Sequence, residues 1–412
     1  MATEYIGESA EIILPLSKSE SNRALMLQAW SGGKIRAGLL SEARDTAILQ
    51  HLLFHNTTSG LYDAVDAGTS LRFMAAWLAL SGKHAVLTGS LRMQERPVGK
   101  LVNALQELGC SIAYEGKEGF PPLRFSGFSW SGKSILEISA AESSQFISAL
   151  MLAAPDLPEG LEIRIQEKTG SFSYLELTAG MMQRCGLLVE INRKNIIIPN
   201  QNWPEAEIVP GADWSSASYF YGMLACKPVG SSFQFQGLQM NSLQGDRVMA
   251  ALGRFWHIET IESSKGVWIR RMAEGVATDL FSFDFSDCPD LALSLICTCV
   301  ASGVAGEFTG LSSLRMKESD RLHAIQTELK KIGINLSVSK NGDHASLKAN
   351  TLRWPSKPPV FETHNDHRIA MSLAVIVAGH KEKAIFDAPE VVEKSFPGFW
   401  QEVQKSWGGN FL

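Results

Sequence analysis

Short, nearly unbroken apolar runs recur along the chain at Asn22 to Trp30, Leu71 to Leu80, Phe146 to Ala154, Ala217 to Ala225, Leu291 to Val300 and Ile369 to Ala378. Each is apolar around its whole circumference, which predicts a helix buried on every side. Most are followed by a Gly or Pro turn, such as Ser31-Gly32-Gly33 or Lys227-Pro228-Val229-Gly230, and then by a short strand such as Ala85 to Thr88 or Ala384 to Phe386. An amphipathic helix comes next: Ala47 to Phe54, Leu101 to Leu108, Leu177 to Cys185, Arg247 to Leu252, Ala324 to Ile332 and Phe399 to Trp407. Several of these end at a glycine suited to a left-handed cap, namely Gly109, Gly186, Gly253, Gly333 and Gly408. Strands at Glu190, Ile196 and Leu347 follow. One unit of two helices and several strands is thus expected about six times, spaced by roughly fifty-five to eighty residues. Six units in 412 residues favour two domains of three, with a boundary near Val209-Pro210-Gly211-Ala212-Asp213.

Composition narrows the function. The net charge of −5 gives no overall basic field for nucleic acid or an anionic membrane, so any positive site has to be local. The six cysteines, Cys110, Cys185, Cys226, Cys288, Cys297 and Cys299, form no CxxC pair, which points to reduced buried thiols in a cytosolic protein and away from metal binding. Met1 to Glu8 lacks the basic and apolar regions of a signal peptide. The most apolar stretch, Leu291 to Ala305, is too short to read as a membrane span.

The chemistry-bearing residues stand at the entrances to the apolar helices. Ser17-Lys18-Ser19-Glu20-Ser21-Asn22-Arg23 opens the first, with Ser19 the expected cap and Lys18 and Arg23 adding charge to the outward-facing N–H groups. The others open at Asp66-Ala67-Gly68-Thr69-Ser70-Leu71-Arg72, Ser143-Ser144-Gln145, Asp213-Trp214-Ser215-Ser216, Asp290 and Asn365-Asp366-His367-Arg368. Caps explain the Ser, Asp and Gly. They do not explain Arg and Lys at helix starts, where the macrodipole disfavours a cation unless an anion is present. Three more clusters add charge: Arg92 to Pro97, Arg315 to Arg321 and Lys394-Ser395-Phe396-Pro397. Lys317 and Arg321 stand four apart and would repel on one helix face, so a bound phosphate or carboxylate is the better explanation. Glu318 between them is placed to give or take a proton.

These segments resemble the enolpyruvyl transferase family, most closely its branch acting on shikimate 3-phosphate. The similarity runs in order along essentially the whole chain: LPxSKSxSNRAL at 14–25, AGTSxR at 67–72, LTGxxRMxERP at 88–97, SSQF at 143–146, SSASYF at 215–220, RMKESDRL at 315–322, NDHRxAM at 365–371 and KSFPxFW at 394–400. The resemblance implies an α/β, two-domain fold, an inside-out α/β barrel in which each domain holds three repeated βαβαββ-type units with buried parallel helices. It assigns residues 17–210 to one domain and 1–16 plus 211–412 to the other, with the active site in the cleft between them.

The implied reaction moves the enolpyruvyl group of phosphoenolpyruvate to the 5-hydroxyl of shikimate 3-phosphate and releases phosphate. Carried over by motif, Lys18, Ser19, Arg23, Ser143, Ser144, Gln145, Ser171, Asp290, Ser313 and Lys317 would bind shikimate 3-phosphate, with Tyr174 nearby. Lys18, Gly68, Arg92, Gln145, Arg321, Arg368 and Lys394 would bind phosphoenolpyruvate. Asp290 is the expected base and Glu318 the expected acid, with Lys18 stabilising charge, although these roles can be exchanged or shared with Lys18 or His367. No nucleophilic side chain, metal or organic cofactor is required, and a cytoplasmic monomer is expected. Asp66, Phe73, Leu16 and Ser313 depart from the family pattern, which bears on affinity more than on reaction type. The competing readings are the relative acting on UDP-N-acetylglucosamine, disfavoured because Gly89 to Arg96 contains no cysteine, a noncatalytic phospholigand-binding relative, and an RNA-end-processing enzyme, disfavoured by the acidic balance.

Overall fold

A computed structural model describes residues 8–55, 60–138, 144–166, 170–349, 352–380 and 383–407. The six apolar runs are helices: Lys18–Trp30, Gly68–Leu80, Ser144–Ala153, Trp214–Leu224, Ala292–Ser302 and His367–His380. Five of them begin before the apolar run read from the sequence. The first turn of a helix presents unpaired N–H groups outward, so polar residues and glycine are tolerated or favoured there and the apolar pattern undershoots the start. Phe73, Met74 and Leu78 are fully buried, and each such side chain contributes about 1.5–3 kcal/mol.

Small polar residues inside these helices are satisfied locally. Ser294 and Thr298 donate back to Leu291 O and Ser294 O, and Ser218 donates to Ser215 O at 2.6 Å and to Ser294 Oγ at 2.9 Å. Gly222 lets two of the helices approach a third, since a Cβ there would run into the Thr298 side chain and lie 2.8 Å from Val375 Cγ1. Tight packing of three buried helices therefore depends on a missing methyl.

The repeat has a fixed sheet pattern. In the four-stranded sheet Leu61–Asp63, His84–Thr88, Leu123–Phe128, Cys110–Tyr114, the first pair is parallel and the other two pairs are antiparallel. The parallel pair is joined through a buried helix, as a crossover requires, and the last two strands form an antiparallel pair. The same order occurs in the sheets built on Ile135–Ile138, on Ser9–Ile12 and on Leu280–Asp284. Among the described residues the remaining two repeats are shorter. They form two-stranded parallel sheets, Ile35–Ala37 with Ala206–Ile208 and Val360–Phe361 with Ile385–Phe386, without the trailing antiparallel strands. Contacts divide the chain into Ser17–Pro210 and a second unit of Met1–Leu16 with Gly211–Leu412. Within the second unit, Leu16 bridges Ala212 and Asp213 N–H donates to Pro15 O, tying together the two chain segments at which the units part.

Local expectations fail in four places. Ser17, not Ser19, caps the first helix, accepting from Glu20 N–H, so Ser19 lies inside the first turn. The expected helix from Arg247 to Leu252 is broken into Gly245–Val248, Met249–Leu252 and Gly253–Trp256, of which only the middle piece is α-helical. Gly253 accordingly has an ordinary right-handed φ of −56°, and His257 takes the left-handed turn at φ 53°. The strand at Leu347 ends there instead of starting, because its partner Ala305–Thr309 pairs with His344–Leu347. Gly109, Gly186 and Gly333 do adopt positive φ as caps, while Gly408 lies outside the described residues. No helix among the described residues is long and apolar enough to cross a membrane.

Candidate functional site

Two groups of charged side chains are built, one in each unit. In Ser17–Pro210 the central group is Arg23, which is only 2 % exposed. Its Nε donates to Thr178 Oγ1 at 2.7 Å, Nη1 to Ser19 O at 2.9 Å, and Nη2 to Tyr174 O at 3.2 Å and Ser148 Oγ at 3.3 Å. The guanidinium also lies over the rings of Phe73 and Tyr174 at 5.7 and 5.9 Å. Phe73, one of the departures from the family pattern, thus supplies an aromatic face to the cation. Among the described residues no carboxylate lies within ion-pair distance of Arg23. Burial lowers its pKa to about 10, with the charges of Tyr174 and Glu20 acting against the shift.

Other expected site residues lie in the same unit. Ser171 opens the helix Phe172–Arg184 from a left-handed conformation, φ 66°, and its backbone carbonyl accepts Tyr174 N–H. Lys18 Nζ pairs with the buried Asp45 at 3.1 Å, and the backbone carbonyl of Asp45 accepts from Ser70 Oγ at 3.1 Å, linking the first two helix entrances. Gln145 Nε2 donates to Thr69 Oγ1 at 3.0 Å, and Ser144 begins the third buried helix. Ser143 lies outside the described residues.

Gly68 opens the second buried helix, and here arginines take the space a side chain would need. A Cβ on Gly68 would lie 2.5 Å from Arg96 Nη1 and 3.0 Å from Arg72 Nη1. Arg72 donates to Gly68 O at 2.8 Å and lies over the Phe146 ring. Arg92 is exposed instead: it sits in the short helix Leu91–Gln94, capped by Ser90, and pairs with Glu95 at 2.9 Å.

In the other unit one buried guanidinium organises three carboxylates. Arg321 begins the helix Arg321–Lys330 and is 2 % exposed. Its Nε meets Asp366 Oδ2 at 2.8 Å, Nη2 meets Glu318 Oε2 at 2.9 Å, and Nη1 meets Asp290 Oδ1 at 3.3 Å. Arg368 completes the network, with Nη2 2.9 Å from Asp290 Oδ2 and Nη1 donating to Asp290 O at 3.1 Å and to Tyr219 Oη at 3.4 Å. Asp366 accepts Arg368 N–H at 3.0 Å and Ser319 Oγ at 3.1 Å, capping the sixth buried helix while holding Arg321. Lys394 Nζ approaches Glu318 Oε1 at 4.0 Å.

This arrangement revises the sequence reading of the cluster at 315–321. Lys317 follows the turn Ser312–Met316 in extended backbone, and the helix starts only at Arg321 behind its cap Asp320. Lys317 and Arg321 therefore do not share a helix face, and the repulsion expected between them does not arise. Ser313 is half-buried within that same turn.

The electrostatics of this half are those of a buried mixed-charge cluster. Burial alone would lower the Arg321 pKa, but the charges of Asp366, Glu318 and Asp290 outweigh it and raise the value. Burial raises Tyr219 to about 12. Asp246, buried beside Ser215 and hydrogen-bonded to its hydroxyl, is pushed up to about 7, by burial first and then by the charge of Asp290. Asp213 is also raised by burial while capping the fourth buried helix through Ser216 N–H at 2.9 Å.

Sequence reasoning read Asp213 and Asp366 only as caps and missed Asp45, Asp246 and Tyr219 as neighbours of the charge clusters. A lone Asp at a helix start carries no signal beyond capping. The signal available was the excess of arginine at helix entrances, which requires carboxylates or ligands somewhere.

Comparison with known proteins identifies the family and the fold. The model of the family described as EPSP synthase (3-phosphoshikimate 1-carboxyvinyltransferase) matches residues 53–403. A 3-phosphoshikimate 1-carboxyvinyltransferase of Bacteroides fragilis is 37 % identical over 405 residues, covering 97 % of this chain and 96 % of that one. One of Haemophilus ducreyi is 32 % identical over 445 residues, with 97 % and 96 % covered. The structure of an EPSP synthase from Acinetobacter baumannii has the same fold, with a TM-score of 0.72 at 20 % identity, over 97 % of this chain and 96 % of that one.

Proposed function

Since the chain belongs to the EPSP synthase family and is a transferase, we propose that it moves the enolpyruvyl group of phosphoenolpyruvate onto the 5-hydroxyl of shikimate 3-phosphate in aromatic biosynthesis. The observation that carries this reading is Arg321, one guanidinium that touches both Asp290 and Glu318. Addition of an alcohol across an enol double bond needs a proton removed from the hydroxyl and a proton delivered to the methylene carbon. Two carboxylates fixed by a common cation answer both needs within one network. Asp290, with one oxygen on Arg321 and the other on Arg368, is the base. Glu318, between Arg321 and Lys394, is the acid that protonates the methylene and later takes a proton back as the C–O bond to phosphate breaks, the departing phosphate carrying off the proton that Asp290 removed from the hydroxyl. No covalent bond to the protein forms in this scheme.

Both substrates carry a phosphate and a carboxylate, so they require cations. Arg321, Arg368 and Lys394 serve phosphoenolpyruvate, with Gly68, Arg92, Gln145 and Lys18 acting on the same molecule. Arg23, Ser19, Ser144, Gln145, Ser171, Lys18, Lys317, Ser313 and Asp290 serve shikimate 3-phosphate, and Ser143 is assigned there by its motif. Arg23 supports this assignment because a buried guanidinium held by neutral acceptors gains most from an anion. All six cysteines are free thiols and five are buried, which supports a reducing cytoplasm. A single chain is proposed as the working unit.

The test is phosphate release from phosphoenolpyruvate by the purified protein. Release is expected with shikimate 3-phosphate and not with UDP-N-acetylglucosamine. Asp290→Asn and Glu318→Gln are each expected to lower kcat by roughly 10²–10⁴. No release with shikimate 3-phosphate, or release with UDP-N-acetylglucosamine, would overturn the reading.

A further inference from the structure

The loop Glu362 to Asp366, between strand Val360–Phe361 and helix His367–His380, delivers both Asp366 and Arg368 to the charge network. Two consecutive non-glycine residues in it, His364 and Asn365, have left-handed φ values of 51° and 53°. Such a conformation persists only where surrounding contacts over-determine it. Those contacts come from Glu328, whose side chain is fully buried.

Glu328 Oε1 lies 3.0 Å from His364 Nε2, and Glu328 Oε2 accepts Glu362 N–H at 2.9 Å. Asp387 holds the loop from its other side, accepting Thr363 N–H at 2.8 Å. Glu328 stands seven residues, or two turns, after Arg321 on the same helix and therefore on the same face. One helix thus grips the loop at two points: Arg321 takes Asp366, and Glu328 takes His364.

We propose that Glu328 and His364 form a positioning clamp that fixes the loop bearing Asp366 and leading into the first turn of the helix that carries Arg368, and through it the orientation of the Arg321–Asp290–Arg368 network. Neither residue touches the groups assigned to the chemistry, so their role is to hold. The charged groups facing the clamp are Lys331, whose Nζ lies 2.8 Å from Glu328 Oε2 and 3.8 Å from Glu362 Oε1, together with Glu362 and Asp387. Asp387 has its carboxyl held below the usual range. Burial opposes this, but the Thr363 and Ala388 hydrogen bonds and the charge of His364 outweigh it. Glu328, Glu362 and His364 could offer a metal ion three ligand atoms within 4.8 Å of one another. The Lys331 ammonium already fills the cation's place on Glu328, and it also donates to Val360 O at 3.0 Å. The cluster is therefore a self-contained clamp and not a metal site.

The clamp rests on the proposed transferase reading, and its test separates the two. His364→Asn keeps a residue that tolerates the left-handed conformation but is too short to reach Glu328. In the full-length protein this variant is expected to raise KM for phosphoenolpyruvate at least fivefold with kcat within twofold. Amide hydrogen exchange across residues 362–366 should accelerate at least tenfold, with the melting temperature nearly unchanged. His364→Gln, whose amide can still reach Glu328, should recover most of the KM and the protection. Glu328→Gln, which keeps an acceptor for Glu362 N–H, should resemble His364→Gln. Unchanged exchange across 362–366 in His364→Asn overturns the clamp, as does an equal KM defect in His364→Gln. Wild-type protein inactive with shikimate 3-phosphate removes the transferase reading alone, and the exchange measurement still decides whether the loop is clamped.

Discussion

Arg23, in the second turn of the helix Lys18–Trp30, and Arg321, the first residue of the helix Arg321–Lys330, are both guanidinium groups of 2 % exposure, yet they are buried by opposite means. Arg23 is surrounded by hydroxyls, backbone carbonyls and aromatic faces, without a carboxylate within ion-pair distance among the described residues. Arg321 is matched by Asp366, Glu318 and Asp290. Among the described residues, the charge of Arg23 therefore has no carboxylate at ion-pair distance to balance it, only the longer-range effect of Glu20. Arg321 is instead balanced by carboxylates of its own unit, which also fix its orientation. A buried cation at a helix start is thus not by itself a sign of anion binding: the identity of its acceptors distinguishes a waiting site from a prepared one.

The largest expected effect separates these two arginines in stability. Arg321→Met removes the arginine that pairs with Asp366 and one of the two cations beside Asp290 and Glu318, and should lower the unfolding free energy by about 3–5 kcal/mol, as measured by urea denaturation without ligand. Arg23→Met removes an unbalanced buried charge and should change it by about 1 kcal/mol or less, since Thr178 and Ser148 still hydrogen-bond each other at 2.9 Å. Equal losses in the two variants would break the distinction.

A smaller effect sharpens the picture of the second half. Asp246, with its carboxyl near 7, binds its proton more tightly in the folded protein than in the unfolded chain. Its contribution to stability is therefore full at low pH and is lost as pH rises through about 7. Between pH 5.5 and 8 the wild type should lose about 2 kcal/mol that Asp246→Asn does not lose. Denaturation curves at the two pH values check this, and parallel behaviour of the two proteins would contradict it.

The smallest expected effect lies at Gly68. Gly68→Ala places a methyl 2.5 Å from Arg96 Nη1, the far end of a flexible side chain that can move, so stability should change by less than about 1 kcal/mol. The displaced guanidinium should nonetheless raise KM for phosphoenolpyruvate roughly tenfold, or about 1.4 kcal/mol. Steady-state kinetics decide between this and an unchanged KM.

The α/β architecture was legible because an all-round apolar run followed by a glycine turn leaves a helix few alternatives to burial. The helix starts were legible only in part: Lys18 to Ser21 and Trp214 to Ser216 are polar or bulky first turns that no apolar count includes. The segment from Gly245 to Trp256 misled because its spacing suits a helix while its backbone alternates between tighter and ordinary turns. At the charge clusters, the arginines and lysines were visible and their partners were not. Asp45 reaches Lys18 across 27 positions and Asp366 reaches Arg321 across 45, so only the folded chain reveals these pairs. Lys317 and Arg321 illustrate the reverse error, in which a helical spacing was assumed where the chain is extended.

The most direct test of the contrast between the halves is calorimetric titration of shikimate 3-phosphate into wild type and Arg23→Met at the same salt concentration. If Arg23 is the unbalanced charge that awaits this ligand, the folded variant should bind it at least about a hundredfold more weakly, a loss of about 2.7 kcal/mol. An affinity within threefold of wild type would contradict the account, because the buried charge would then be serving the fold and not the substrate.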